Sequence, residues 1–266
     1  MTLEQIEAYY DTVPRIAADT EDVGPFTLFL SHPGTGWDFY ARPRLGLTHD
    51  FTPDEVRQVL ARQEELGVVR AIEWVHEVTP SLLPAVREAL RTVDGGEEAE
   101  LEECPLLALP ADRGLTGEDA GGGQRVLASD DDELGPAVGA IDASFNARDE
   151  YAVGDPGKRR ELIGSGHLIM VAAYDESGRL VGGGSTSPRG EVTELMGIGV
   201  LPMARMQGHG GAITRALVRA ARDSGVTTAF LSAGSDDAAS VYRAVGFERV
   251  GTACILELPG PEASDG

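Results

Sequence analysis

The stretch ARMQGHGGAITRALVRAARDSG, residues 204–225, places Gly208, Gly210 and Gly211 directly ahead of an amphipathic helix. Glycine in a helix costs about 1 kcal/mol relative to alanine. Three of them in four positions weaken the first turn unless something must come close to its backbone. An anion is the usual visitor, because a helix N-terminus leaves four N–H groups unpaired at the positive end of the helix dipole. Tight packing of the helix on a sheet is the other reading of the same glycines, and context has to separate the two.

The 266-residue chain is long enough for two domains of ordinary size, and its 42% hydrophobic content is that of a globular protein. A net charge of −22 argues against a nucleic-acid partner, which would need clustered Lys and Arg, and against an anionic membrane surface. Such a surface steers cationic small molecules or simply serves solubility. The basic residues are Arg throughout except Lys158, which with abundant Ala and Gly is the composition of a high-GC bacterial proteome. Cys104 and Cys254 lie far apart in apolar runs, so neither a disulfide framework nor a zinc site is expected. The start of the chain has no basic and apolar leader, and no apolar run approaches the ~18 residues of a membrane span, so a cytoplasmic protein is expected.

Apolar periodicity stops at ADRGLTGEDAGGGQR, residues 111–125, and the domain boundary is placed there: 1–111, a link over 112–123, and 124–260. The first part reads as a helix over 2–19, strands at PFTLFLS and WDFYARPRLG, a helix from Pro53, a strand at VRAIEWV, a helix after Thr79-Pro80 and a strand at CPLLALP. Thr52 and Thr79 each precede a proline, the pattern of a helix cap followed by Pro at the first helical position. The acidic run from Asp94 to Glu103 reads as a solvated loop, and Trp37, Trp74, Tyr9 and Tyr10 as core or interface aromatics. The second part reads as strand, helix, a hairpin turning at Glu176–Gly178, a strand at EVTELMGIGV, the glycine-led helix, a strand at TTAFLSA, a helix closed by Gly246, and two last strands. The two parts share an order, as a diverged internal duplication would. Only the second carries the glycines.

Arg205, Met206, Gln207, Gly208, His209 and Gly210 match the pattern R/Q-x-x-G-x-G/A, and VYRAVGF follows some 32 residues later. In these residues the second part resembles the GCN5-related N-acetyltransferases (GNAT), over roughly 124–258. The resemblance implies an α/β fold with a mixed sheet, here a tandem GNAT-like acyl-CoA N-acyltransferase fold with a degenerate first half. It also implies that the turn amides, through Gly211, hold the pyrophosphate of acetyl-CoA. Competing phosphate and catalytic motifs fail. Gly157-Lys158 is followed by Arg159 rather than Ser or Thr, Ile213 stands where a dinucleotide fingerprint needs its third glycine, and His76-Glu77 has no second histidine at zinc-protease spacing. No metal is expected.

Acyl transfer to an amine needs a base, because an alkylammonium with pKa near 10.4 must lose a proton before nitrogen attacks. It also needs a backbone donor for the carbonyl oxygen and an acid for the thiolate. The resemblance assigns the donor to the backbone of Ile198, Gly199 and Val200, on a strand that Gly197 and Gly199 make prone to a bulge. It assigns the acid to Tyr242, whose alternative is packing beside Phe247. Glu194 is the carboxylate placed for the base, on one strand face with Met196 and Ile198 by alternation, its alternative being a solvated strand residue. Ser235 stands where many members have an asparagine near the cofactor. The expected function is therefore acetyl-CoA-dependent transfer of acetyl to a primary amine of a small molecule or peptide. A non-catalytic acyl-CoA-binding or regulatory protein is the alternative, and a tandem enzyme similar to mycothiol synthase the narrower one. A homodimer is left open.

Overall fold

The computed structural model describes residues 2–33, 40–110, 112–119 and 122–259. Trp37, part of the strand expected at WDFYARPRLG, two residues of the expected link and residue 260 lie outside the described residues. The first half of the chain runs α1 (Leu3–Thr12), β1 (Ala18–Val23), β2 (Phe26–Ser31), β3 (Ala41–Pro43), α2 (Pro53–Leu66), β4 (Ala71–Val75), α3 (Leu82–Ala89) and β5 (Glu100–Leu109). The second half runs β6 (Gln124–Val126), α4 (Leu134–Phe145), α5 (Arg159–Gly164), β7 (Ile169–Tyr174), β8 (Leu180–Thr186), β9 (Val192–Val200), α6 (His209–Asp223), β10 (Thr228–Ser232), α7 (Asp236–Val245) and β11 (Glu248–Glu257). They divide into two compact units, one of Thr2–Leu106 with the chain from Val250 on, the other of Leu107–Arg249. The 112–119 part of the expected link thus lies inside the second unit, and most of the last strand is counted with the first.

In the first unit the strand order is β1-β2-β3-β4-β11-β5. Phe26, Leu28, Val56, Leu60, Ile72, Trp74, Leu82, Val86, Cys254 and Leu256 form its core. The helix expected over 2–19 stops at Thr12, because Pro14 cannot continue it. Residues 18–23 instead form β1, hairpinned to β2 with Val23 opposite Phe26. Its polar middle carries no alternation that would announce a strand. Glu100–Glu103, expected in a loop, open β5 with exposed or half-exposed side chains. Thr52 caps α2, accepting the Glu55 amide while the Glu55 carboxylate accepts the Thr52 amide at 2.8 Å. Thr79 does not cap α3; its hydroxyl is buried and, among the described residues, has no partner.

β3 and β4 pair in parallel at one position, Ala41 with Ile72, and then part. Arg42, 3% exposed, fills the gap. Its Nη2 donates to both Glu7 oxygens at 3.3 and 3.2 Å, its Nη1 to Glu73 at 3.4 Å, and its guanidinium lies 4.3 Å from the Tyr10 ring centroid. Glu7 in turn accepts the Val75 amide at 2.9 Å. A buried arginine needs this many partners to offset its lost hydration.

In the second unit the order is β5-β10-β9-β8-β7-β6, with Leu107 and Leu109 from the end of β5 in the core. β8 carries Gly182, Gly183 and Gly184. A Cβ at Gly183 would meet Ile141 of α4 at 3.3 Å, and one at Gly184 would meet Ile213 and Leu217 of α6 at 3.1 Å. Neighbouring strand residues point to opposite faces, so α4 and α6 cover opposite faces of the sheet.

Candidate active site

The site is built where β9 leaves β10. The two pair in parallel only from Val192 to Glu194, with Glu194 opposite Phe230. Beyond Glu194, β9 keeps β8 on its other side but has no register with β10, so one row of its backbone N–H and C=O groups is left without a strand partner. The β8–β9 register slips between Gly183/Gly199 and Ser185/Met196, which puts one extra residue on β9. Gly197, at φ +58°, absorbs it in the left-handed region, as a bulge requires.

The bulge changes which side chains share a face. Leu195 is buried in the apolar cluster under α6, and Ile198 and Val200 pack against that same cluster. Glu194 and Met196, alternating with Leu195, point to the α4 face. The expectation that Glu194, Met196 and Ile198 lie together is corrected for Ile198: the extra residue at Gly197 turns it to the α6 side. Glu194 is half-buried, and its carbonyl accepts the Thr186 hydroxyl at 2.7 Å and the Ser187 amide at 3.3 Å. Thr186 is itself 2.7 Å from the hydroxyl of Thr193, and both threonines are fully buried. The point of divergence is therefore pinned on the β8 side.

Gly199 lies against α4. A Cβ there would stand 2.0 Å from Ser144 Oγ, so any other residue must turn that hydroxyl out of its 2.6 Å bond to the Ile141 carbonyl. Arg205 ties the same corner together, donating to the Ser144 carbonyl at 2.7 Å and the Val200 carbonyl at 3.1 Å. Gln207 donates to the Met203 carbonyl at 3.2 Å. The side chains of Arg205 and Gln207 thus brace the turn. Met206 sits at φ +60° with its side chain fully exposed, which turns the chain sharply into Gly208, the N-cap at φ +86°. The first intrahelical bond is donated by Ala212 to the Gly208 carbonyl at 3.1 Å. The amides of His209, Gly210 and Gly211 precede it and are those a helix leaves without an internal acceptor.

Gly208 is called for by its left-handed φ, and a Cβ at Gly211 would stand a tight 3.3 Å from Arg215 Nη1, so backbone conformation and packing account for these two. At Gly210 a Cβ would meet Val241 at 3.6 Å, an ordinary contact, so packing does not call for glycine there. The bare first turn fits a group approaching from outside, and its donors suit a diphosphate. The His209 side chain is buried, with Nδ1 lacking a partner among the described residues.

Tyr242 lies on α7, half-buried against the cluster that holds Ile198 and Val200, its ring edge-on to Phe247 at 6.4 Å. Burial pushes its phenol above the ordinary range. Gly246, at φ +116°, closes the helix. Ser235 caps α7 by accepting the Ala238 amide at 3.1 Å. Tyr242, the free row of β9 and the bare turn thus belong to one unit, Tyr242 sharing an apolar cluster with Ile198 and Val200 of β9, while Glu194 faces the opposite side of the sheet. The sequence reading missed Ser144, Thr186 and the glycines of β8. Three glycines inside a strand were the available signal for close backbone approach.

The model of the acetyltransferase (GNAT) family matches residues 140–247. A GCN5-related N-acetyltransferase from Kribbella flavida superposes with a TM-score of 0.70 at 23% identity, covering 98% of this chain and 97% of that one. A functionally unknown conserved protein from Staphylococcus epidermidis ATCC 12228 gives 0.56 at 16% identity over 92% and 94%. A tandem GNAT protein from the clavulanic acid biosynthesis pathway, solved without acetyl-CoA, gives 0.50 at 15% identity over 90% and 79%. At these identities the likeness is one of fold, and it extends over both units. No curated protein matches the chain. Among the described residues no helix is long and apolar enough to cross a membrane.

Proposed function

We propose that the protein, whose residues 140–247 match the model of the acetyltransferase (GNAT) family, is an acetyl-CoA-dependent N-acetyltransferase acting on a primary amine of a small molecule or peptide. The observation that carries this reading is the coincidence, in one unit, of a bare helix N-terminus and a strand edge left without a strand partner beyond Glu194. In this reading the amides from Gly208 to Gly211 hold the pyrophosphate, and the open edge of β9 pairs with the pantetheine arm as an added strand would. Neither role uses a side chain.

The chemistry asked of the chain is modest. An N–C bond forms between the amine and the acetyl carbon while the C–S bond breaks. A backbone N–H between Ile198 and Val200 faces the carbonyl oxygen as it gains charge. Glu194, on the α4 face, receives the proton the ammonium must lose, directly or through water. Tyr242, from the α6 face, gives its proton to the departing thiolate. A phenol is protonated at neutral pH with or without the upward shift that burial gives Tyr242, so the donor is present when the sulfur leaves, and the shift adds to the uphill cost of the transfer.

Calorimetric titration with acetyl-CoA, with NADH and ATP as controls, tests the reading, followed by CoA-thiol release over a panel of primary amines. Selective micromolar binding and amine-dependent release are expected. Binding without release from any amine would favour a non-catalytic acyl-CoA-binding protein. No binding to the folded protein would sink both.

A further inference from the structure

Residues 113–119 are chemically the busiest part of the second unit outside the candidate site. Three arginines spaced along one face of α6 hold them. Arg222 donates to the carbonyls of Pro110 at 3.1 Å and Arg113 at 2.9 Å. Arg215, 4% exposed, donates to the Thr116 carbonyl at 3.3 Å, to the Glu118 carbonyl, and through Nε to Asp119 at 2.7 Å. Arg219 takes the other Asp119 oxygen at 3.0 Å. These bonds hold the Asp119 carboxyl below its ordinary range. Gly117 is at φ +83°, and a Cβ there would stand 3.0 Å from Arg215 Nη1.

From this anchorage the segment reaches α7. The Thr116 amide donates to the Val245 carbonyl at 2.9 Å, and its hydroxyl to the Ala244 carbonyl at 2.8 Å. Those are carbonyls that the end of a helix leaves without internal donors. The same last turn contains Tyr242, whose own carbonyl accepts the Phe247 amide at 3.1 Å. Leu115 packs against the cluster that Tyr242 also touches.

We propose that residues 113–119 are a positioning strap for Tyr242: Arg215 fixes the strap to α6, and Thr116 fixes the last turn of α7, so that the phenol is held at one depth beside the helix carrying the bare turn. The functional meaning rests on Tyr242 being the acid; the mechanical claim does not. A strap acting only on overall stability would change the melting temperature and leave the surroundings of the phenol alone.

The test is Thr116→Val, which removes one donor and keeps the shape, with Thr116→Ser as the variant that restores it. Amide hydrogen exchange at Gly246 and Phe247 is read beside that at Val171, deep in the same unit. The ring-carbon NMR signal of Tyr242, identified by its loss in Tyr242→Phe, is followed through titration. The valine variant is expected to speed exchange at Gly246 and Phe247 by about tenfold or more without changing Val171. It should also lower the phenol's midpoint by about half a pH unit as water gains access, and the serine variant should reverse both. If exchange and midpoint stay as in the wild type while the melting temperature falls, the strap is only structural and the proposal fails. Should the valine variant not fold, Asp119→Asn is read the same way. Turnover of Tyr242→Phe is measured separately: full activity would remove the acid role while leaving the strap's effect on α7 to stand or fall by exchange.

Discussion

A phenol can serve as an acid only while it holds its proton, which an ordinary tyrosine with a pKa near 10 does at neutral pH; burial raises Tyr242 further, which keeps the proton but makes its transfer to a thiolate near 8.5 more uphill. Tyr242→Phe should lower kcat by about 10²- to 10⁴-fold, the range of a lost general acid, and leave the acetyl-CoA Kd within about twofold. Thiol release and calorimetry measure the two effects separately. Gly199 is the second single residue on which the site depends. With 2.0 Å between a Cβ and Ser144 Oγ, Gly199→Ala turns the Ser144 hydroxyl away from the Ile141 carbonyl it bonds. It should cost about 1–3 kcal/mol in urea denaturation. The places of the turn glycines at the start of a helix and of Tyr242 on the next one were legible in their spacing along the chain. The facing of Glu194 away from Ile198 was not, since strand alternation assumes an unbroken register and Gly197 breaks it.

Elements, not residues, decide how the glycine turn works. Arg205 braces it through two backbone carbonyls, and Met206 gives it a left-handed step with a side chain that rests on nothing. Met206→Gly should therefore stabilise the protein, by about 1 kcal/mol or less in thermal melts, because the strain of a non-glycine residue at φ +60° is relieved. Acetyl-CoA affinity should stay within about twofold, since the turn presents only backbone there. A large loss of affinity would mean that the methionine itself meets the ligand. At this scale the long periodic helices α2 and α6 could be read from their spacing. β1 could not, because its middle is polar, and neither could α5, which buries no side chain completely.

For the whole molecule, the two units answer the same strand fork in different ways. In the second it is open; in the first, Arg42, Glu7 and Glu73 fill it. One acetyl-CoA per chain is the expected calorimetric stoichiometry. The filled fork also sets a pH dependence. Burial pushes the Glu73 carboxyl up to about 7 despite Arg42, with Glu7 and Glu257 adding repulsion and Tyr40 a hydrogen bond that opposes it. An unfolded glutamate titrates near 4.3, so between about pH 4.3 and 7 the native state holds a proton the unfolded chain has lost. This group's contribution to stability thus declines as pH rises through that window and is level above it. Glu73→Gln should show a smaller fall in melting temperature than the wild type between about pH 5 and 8; an unchanged fall would place the titrating group elsewhere.

The placement of β11 could not be seen in the sequence, because its residues suit any buried strand and nothing local names its neighbours. It lies between β4 and β5 in the sheet of the first unit, although in sequence the whole of the second unit separates it from them. During synthesis the residues up to Leu106 leave the ribosome early but lack the strand that closes their sheet. About 140 residues, or roughly 7 to 30 s of translation, separate them from it. Until β11 is made, the edges of β4 and β5 that it covers stay unpaired in a nascent chain, where a chaperone, or another nascent chain, can find them.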